Sequence, residues 1–211
     1  MLVVTCPVIP SRSSTDRRSH PWGKTAYEED GGAYYSFIER PELIREVLED
    51  YRPHAERPAI QKFYELLEWI NRPDGNLETN DCALRPPVPE SDLFRKTHRI
   101  GGRLELFMRN HAANTVAYEN AFLWMARMLA MYLQVEGPDC RTVIFDFSVK
   151  PTDYILLPED KCAGYRLSIT FNAYGDGDDE VWGSLLTAFE ALLEATKRLD
   201  RSFGGQIPEL P

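Results

Sequence analysis

Residues 166–174 read RLSITFNAY, a stretch in which polar and apolar side chains alternate without a break. Successive side chains of a β-strand point to opposite faces of its sheet, so alternation indicates a strand with one buried face and one solvent-facing face. Two further stretches, 103–109 (RLELFMR) and 143–150 (VIFDFSVK), follow a similar pattern. The sequence therefore predicts three half-buried strands in the second half of the chain.

The predicted solvent-facing side of these strands is the first candidate for a binding surface. It carries side chains of both charges, hydroxyl groups, an amide and two aromatic rings, and aromatic rings are enriched at protein contacts. Cross-strand pairing explains such a mixture without any function, whereas a protein contact would use the same groups. The residues assigned to this candidate surface are Arg103, Glu105, Phe107, Arg109, Asp146, Lys150, Thr170, Asn172 and Tyr174.

Apolar residues at helical spacing predict two long helices beside the strands. One runs from Asn114 or Thr115 to about Gln134 and is apolar nearly all round, which is typical of a central, buried helix. The other runs from about Asp179 to Asp200. Acidic residues at its start and basic residues at its end suit the helix dipole.

The first half of the chain is predicted to contain a helical hairpin. Pro41 and Pro58 each suit the first turn of a helix, and Pro53 separates the two apolar patterns. Residues 2–5 are predicted to form a short edge strand. After the hairpin the order is strand, helix, strand, strand, helix. This order predicts an α+β fold, with a mainly antiparallel sheet and helices packed on one of its faces.

Composition divides the chain into four segments, which we expect to form one compact unit. Residues 1–32 are interpreted as an N-terminal arm, 33–75 as the helical hairpin, 76–100 as a proline-rich connection and 101–211 as the α+β core. Three prolines stiffen the connection, and its length is typical of a lid or a linker, while residues 77–84 within it are a candidate short strand.

Overall composition is that of a globular protein, with 43% hydrophobic and 27% charged residues. The longest apolar run, 121–133, is interrupted by Arg127 and is shorter than the ~20 residues of a membrane span, so we predict no membrane segment. The apolar N-terminus lacks a preceding basic region, which argues against a secretory signal. Four scattered cysteines favour reduced thiols and a cytoplasmic location.

The formal charge is −9, from 33 acidic and 24 basic residues. Nucleic-acid binders gain affinity by neutralising phosphates with Lys and Arg, so an acidic chain without a basic stripe is a poor candidate for that class. The same charge would steer a basic protein towards the chain. We therefore expect a protein partner, preferably a basic one, and no nucleic acid.

The motifs of common catalytic and metal sites are missing from the sequence. The acidic run 175–180 lacks the spacing of a calcium loop and is interpreted as a turn followed by a helix N-terminus. No two histidines have the spacing of a helical metal pair, and no phosphate loop or nucleophile elbow is present. Cys82 follows Asp81, whose charge opposes thiolate formation. We predict no catalytic residue, no metal and no cofactor.

Charge, size and missing motifs leave three hypotheses for the function. The preferred one is a non-enzymatic cytoplasmic protein-binding module that neutralises a basic partner in the manner of an immunity or antitoxin protein. The second is an enzyme whose site lies between the polar sheet face and residues 76–100, lined by Glu105, Asp146 or His98. The third is a structural subunit of a larger assembly.

Overall fold

The computed structural model of the chain describes residues 2–5, 16–17, 36–90, 93–114, 119–157 and 160–203. These residues form a six-stranded sheet with three α-helices packed against it, so the predicted α+β class is confirmed. The helices are α1 (Pro58–Ile70), α2 (Glu119–Glu136) and α3 (Asp178–Phe203). The strands are β1 (Leu2–Val4), β2 (Asp16–Arg17), β3 (Leu77–Pro89), β4 (His98–Met108), β5 (Val143–Leu157) and β6 (Asp160–Gly175).

The sheet is mixed rather than mainly antiparallel, which corrects the sequence prediction. Strands β5, β6, β4 and β3 pair antiparallel in that spatial order. Strands β1 and β2 pair parallel with β5, and they place Leu2 opposite Val143 and Asp16 opposite Thr152. A strand of two or three residues carries no pattern that specifies its direction, so this pairing was not visible in the sequence. The rest of the predicted arm, residues 1–32, lies outside the described residues apart from Thr5.

The three alternating stretches are extended as predicted, in β4, β5 and β6. Their apolar side chains point to the face on which the helices pack. Phe145 and Phe171 lie opposite each other there, and both are fully buried. The Phe171 ring also meets Phe63 of α1 and Phe189 of α3, with ring centroids 6.3 and 4.9 Å away. The hydrophobic core therefore lies between one face of the sheet and the helix layer.

Only the second predicted helix of the N-terminal hairpin is an α-helix, namely α1. The first is replaced by two short 3-10 helices, Pro41–Arg45 and Arg52–His54. Proline removes an N–H donor and restricts the residue before it, and a short helix is marginal without extensive packing. A helix that begins at Pro41 must therefore end before Pro53, and so short a helix depends on packing for its stability.

The predicted proline-rich connection, 76–100, is mostly sheet. Strand β3 occupies most of it and pairs with β4, so the segment is a β-hairpin rather than a lid or a linker. Strand β3 lies at the edge of the sheet, where a missing N–H interrupts no ladder. The register shifts between Arg85 and Val88, where the prolines stand.

Helix α3, rather than α2, occupies the middle of the helix layer. It contacts both α1 and α2 and also packs on β6 and β4. Helix α2 buries only one side, and Met131 and Val135 on its other side are exposed. The prediction of a helix buried on most sides is wrong because α2 has α3 as its only helical neighbour in the described part. None of the described helices combines the length and apolar character needed to cross a membrane.

Candidate functional site

The sheet face opposite the helices carries most of the predicted binding surface. The register places Arg103, Thr170 and Asp146 side by side across β4, β6 and β5, and all three are partly exposed. Asn172 lies in the next row, opposite Gly101. We call the partly exposed or exposed polar side chains around Gly101 the open polar face, which consists of Arg85, Arg99, Arg103, Asp146, Thr170 and Asn172.

Three residues that were predicted to face solvent are buried, which corrects the sequence analysis. Glu105, Phe107 and Tyr174 are 1%, 0% and 2% exposed. Tyr174 lies beneath the tip of the β3–β4 hairpin, where Phe94 meets its ring edge-on with centroids 5.1 Å apart. Alternation correctly assigned the side of the sheet to which each residue points. It carries no information on what packs against that side.

Glu105 belongs to a buried ion cluster at one end of this face. Its carboxylate lies 2.8 Å from Arg166 Nε, and both side chains are 1% exposed. Ser168 Oγ donates a hydrogen bond of 2.9 Å to Glu105, and Lys150 Nζ lies 3.4 Å from the same carboxylate. A buried carboxylate with this many partners has a structural role, because its charge is compensated inside the fold. Lys150 is partly exposed and belongs to this cluster.

Arg109 also has a structural role and does not lie on the open polar face. Strand β4 ends at Met108, so the alternation no longer decides the direction of the next side chain. The Arg109 guanidinium donates hydrogen bonds to the carbonyl oxygens of Pro73, Arg72 and Leu77, at 2.6, 2.7 and 3.3 Å. These bonds tie the turn between α1 and β3 to the end of β4.

Two arginines of the open polar face are held in place by neighbours. Arg103 Nη2 lies 3.1 and 3.2 Å from the two carboxylate oxygens of Asp81. Arg99 Nη1 donates to Asn172 Oδ1 at 3.3 Å, and its Nε lies 3.4 Å from a carboxylate oxygen of Glu90. The Arg103 and Arg99 side chains are nevertheless 42% and 37% exposed. Their guanidinium groups are therefore oriented by the fold and still accessible.

Glycine at position 101 makes room for this arrangement. A Cβ atom on Gly101 would stand 2.5 Å from Asn172 Oδ1, which is too close for any two such atoms. The absence of a side chain lets the Asn172 amide lie over the β4 backbone, between Arg99 and Arg103. The neighbouring Gly102 makes room on the other face, since a Cβ there would stand 2.5 Å from Cζ of the core residue Phe171.

Neither Tyr174, on the same side of the sheet as this face, nor Cys82, which packs against the hydrophobic core on the other side, is activated for nucleophilic chemistry. Burial raises the pKa of Tyr174, against the opposing effect of Arg99. Burial, followed by the charge of Asp81, raises the pKa of Cys82 well above its usual value. Both groups therefore stay protonated at neutral pH. A reactive cysteine needs the opposite environment, in which a cation or a helix N-terminus lowers the thiol pKa.

The acidic run 175–180 is a turn followed by the start of α3, as predicted. Gly177 has a φ of +87°, and the helix begins at Asp178. Lys96 of the hairpin tip lies 2.9 Å from Asp176 and 2.6 Å from Glu180. Hydrogen bonds from Lys96 lower the pKa of both carboxyl groups. Within the described ranges, no three potential metal-ligating side chains converge on one point.

The enzyme hypothesis required Glu105, Asp146 or His98 to line a pocket beside residues 76–100. His98 pairs with Gly175 at one end of β4, and Glu105 lies seven residues further on. At about 3.3 Å per residue, the two are roughly 23 Å apart. A shallow cavity of about 390 Å³ lies elsewhere, between the end of α2 and β1, and is lined by Leu2, Gln134, Gly137, Pro138, Cys140 and Arg141.

Comparison of the chain with protein-family models, curated proteins and solved structures found no match in any of the three. A function can therefore be inferred only from the chain's own residues. Sequence reasoning missed Arg85 and Arg99. Arg99 follows from extending the β4 alternation back through Gly101, whereas Arg85 needed the β3–β4 register, which places it opposite Gly101.

Proposed function

We propose that this protein is a non-enzymatic binding module whose partner is another protein, held at the open polar face. The observation that carries the proposal is the pair of oriented, accessible guanidinium groups of Arg99 and Arg103. Ordering a long side chain on binding costs about 0.5–1.5 kcal/mol, and here neighbouring residues have already ordered both. Arginine is also enriched at protein interfaces.

The shape of this face supports a protein partner over a small molecule. Small-molecule sites are concave and bury most of their ligand, whereas these side chains stand on a sheet with no described helix on that side. A stable protein interface buries about 800 Å² on each partner. The end of β3 and the hairpin tip beside the face extend the available surface with two exposed apolar side chains, Val88 and Leu93.

Neutralisation of a basic partner, in the manner of an immunity or antitoxin protein, is a second candidate. The observation in its favour is the position of the acidic excess. Residues 36–76 contain nine acidic and six basic residues, and α3 contains six acidic and three basic residues. Both segments belong to the helix layer, so a basic partner would be drawn to that side of the molecule rather than to the open polar face.

We also propose a cytoplasmic location. Cys82 and Cys140 are free thiols, and reduced cysteines are typical of proteins in that compartment.

A capture experiment with a blocking variant tests the binding proposal. Thr170→Tyr places a bulky residue in the centre of the face, and tyrosine suits a strand. Arg127→Tyr is the matched control, because Arg127 is exposed on α2. We expect the wild type and Arg127→Tyr to retain the same protein from native cell lysate and Thr170→Tyr to lose it. Equal retention by all three folded proteins would refute the proposal.

A further inference from the structure

We propose that the partner segment held at the open polar face is acidic, and that Arg85, Arg99 and Arg103 bind its carboxylate groups. This inference rests on the proposed function and specifies its partner. It also reverses the expectation from net charge, which favoured a basic partner.

The three arginines surround one point of the sheet. Arg85 lies directly opposite Gly101 in the β3–β4 pair. Arg99 and Arg103 precede and follow Gly101 by two residues, so alternation puts them on the same face. Along the strand their Cα atoms are about 13 Å apart, and Arg85 stands about 5 Å from Gly101 across the pair. One short extended peptide can reach all three guanidinium groups.

Each of these arginines keeps hydrogen-bond donors for a ligand. The Arg85 side chain is exposed and has neither a hydrogen bond nor an ion pair with any described residue. Arg103 uses Nη2 for Asp81, and its Nη1 is bonded to nothing within the described residues. Asp81 and Glu90 are mostly buried, so the guanidinium groups form the outer surface of the cluster.

The net charge of −9 does not oppose an acidic ligand at this position. At physiological ionic strength the Debye length is about 8 Å, so charges beyond that distance are largely screened. Much of the acidic excess belongs to the helix layer, which packs on the opposite face of the sheet about 10 Å away. The potential at the open polar face therefore depends mainly on its three arginines, on the mostly buried Asp81 and Glu90 beside them, and on Asp146 at its far side.

A carboxylate-bearing peptide fits the cluster better than a nucleic acid. Duplex binders that depend on phosphate contacts commonly neutralise about 6–10 phosphates, and this cluster offers three guanidinium groups. Asp146 stands in the same row as Arg103, two strands away or about 10 Å. Its charge limits the cationic surface to the β3–β4 side. An arginine can bind a carboxylate through two parallel hydrogen bonds, which suits single acidic side chains.

Fluorescence anisotropy with a labelled hexaglutamate peptide tests the inference. Labelled hexalysine and a twelve-base-pair duplex DNA serve as comparison probes, all at about 150 mM salt, where the acidic helix layer is screened. We expect hexaglutamate to bind best, with Arg85→Gln and Arg103→Gln each weakening its binding about three- to fivefold. Asp146→Asn should strengthen it about twofold, and Arg127→Gln on α2 should leave it unchanged.

Three results would overturn the inference. The first is that hexaglutamate binding is undetectable. The second is that hexaglutamate binds the wild type and the Arg85→Gln/Arg103→Gln double variant with equal affinity. The third is that DNA or hexalysine binds more tightly than hexaglutamate and loses affinity in the double variant. If one of these results is obtained and Thr170→Tyr still loses the captured partner, the acidic segment is rejected and the proposed function remains. A captured partner that is indifferent to Thr170→Tyr would instead reject the proposed function.

Discussion

Replacement of Glu105 by alanine should destabilise the protein far more than its place in an alternating strand suggests. The substitution removes the carboxylate that lies 2.8 Å from Arg166 Nε and 2.9 Å from Ser168 Oγ. Breaking a buried ion pair costs about 3–5 kcal/mol, because a charge is left without compensation. Lys150 adds little to the cost because it is partly exposed. We therefore expect a loss of about 3–5 kcal/mol in the free energy of unfolding.

Two further variants separate the free energy of unfolding that is lost with the ion pair from that lost with side-chain packing. Glu105→Leu combined with Arg166→Met removes both charges of the pair and should therefore be more stable than Glu105→Ala. Asp146→Ala removes a partly exposed carboxylate that has no ion pair with described residues, and should cost less than about 0.5 kcal/mol. The contrast between Glu105→Ala and Asp146→Ala isolates the effect of burial on one face of one sheet.

Urea unfolding followed by tryptophan fluorescence measures these differences, since the chain contains four tryptophans. The slope of the transition should be the same for all variants, so that a shift in midpoint reports stability. A cost below about 1 kcal/mol for Glu105→Ala, or a cost equal to that of Asp146→Ala, would refute the structural role given to the ion cluster.

Other consequences of the structure can be checked with the same assay. Phe171→Ala should lower the free energy of unfolding by about 3–5 kcal/mol, since the ring is fully buried. Thr170→Ala should lower it by less than about 1 kcal/mol. Equal losses would mean that the two faces of the sheet are assigned wrongly. Arg95→Gly should stabilise the hairpin tip by about 1 kcal/mol, because Arg95 has a φ of 55°, and a loss of stability would contradict this. Lys96→Met should lower stability at pH 7, where Asp176 and Glu180, two carboxyl groups of lowered pKa, are ionised. The difference from the wild type should shrink as the pH falls below the ordinary carboxyl pKa values and vanish once both groups are protonated in the folded protein, and a pH-independent difference would reject the pairing.

Alternation in the sequence was enough to predict the centre of the sheet. It placed Arg103, Thr170 and Asp146 on one face, and the register confirms that they are neighbours. Alternation failed for Glu105, which is buried in its ion cluster with Arg166, and for Tyr174, whose burial depends on a distant chain segment. That segment is the hairpin tip, which places Phe94 on Tyr174.

The remaining errors of the sequence analysis have local causes. The prolines near residues 86–89 suggested an irregular connection, but an edge strand tolerates proline where its N–H faces away from the sheet. Arg85 was missed for the same reason, since its position on the face exists only if residues 77–89 form a strand. The direction of β1 and β2 followed from their tertiary pairing with β5, which three residues of sequence do not encode.

The most direct test of an interaction surface at the open polar face is an NMR titration of the ¹⁵N-labelled chain with its captured partner. We expect shifted or broadened signals for the amides of Gly101, Arg103, Thr170 and Asn172, and for the Nε–H groups of the surrounding arginines. Signals from the exposed side of α2 should stay unchanged. Perturbations confined to the helix layer, with those four amides unmoved, would contradict this expectation.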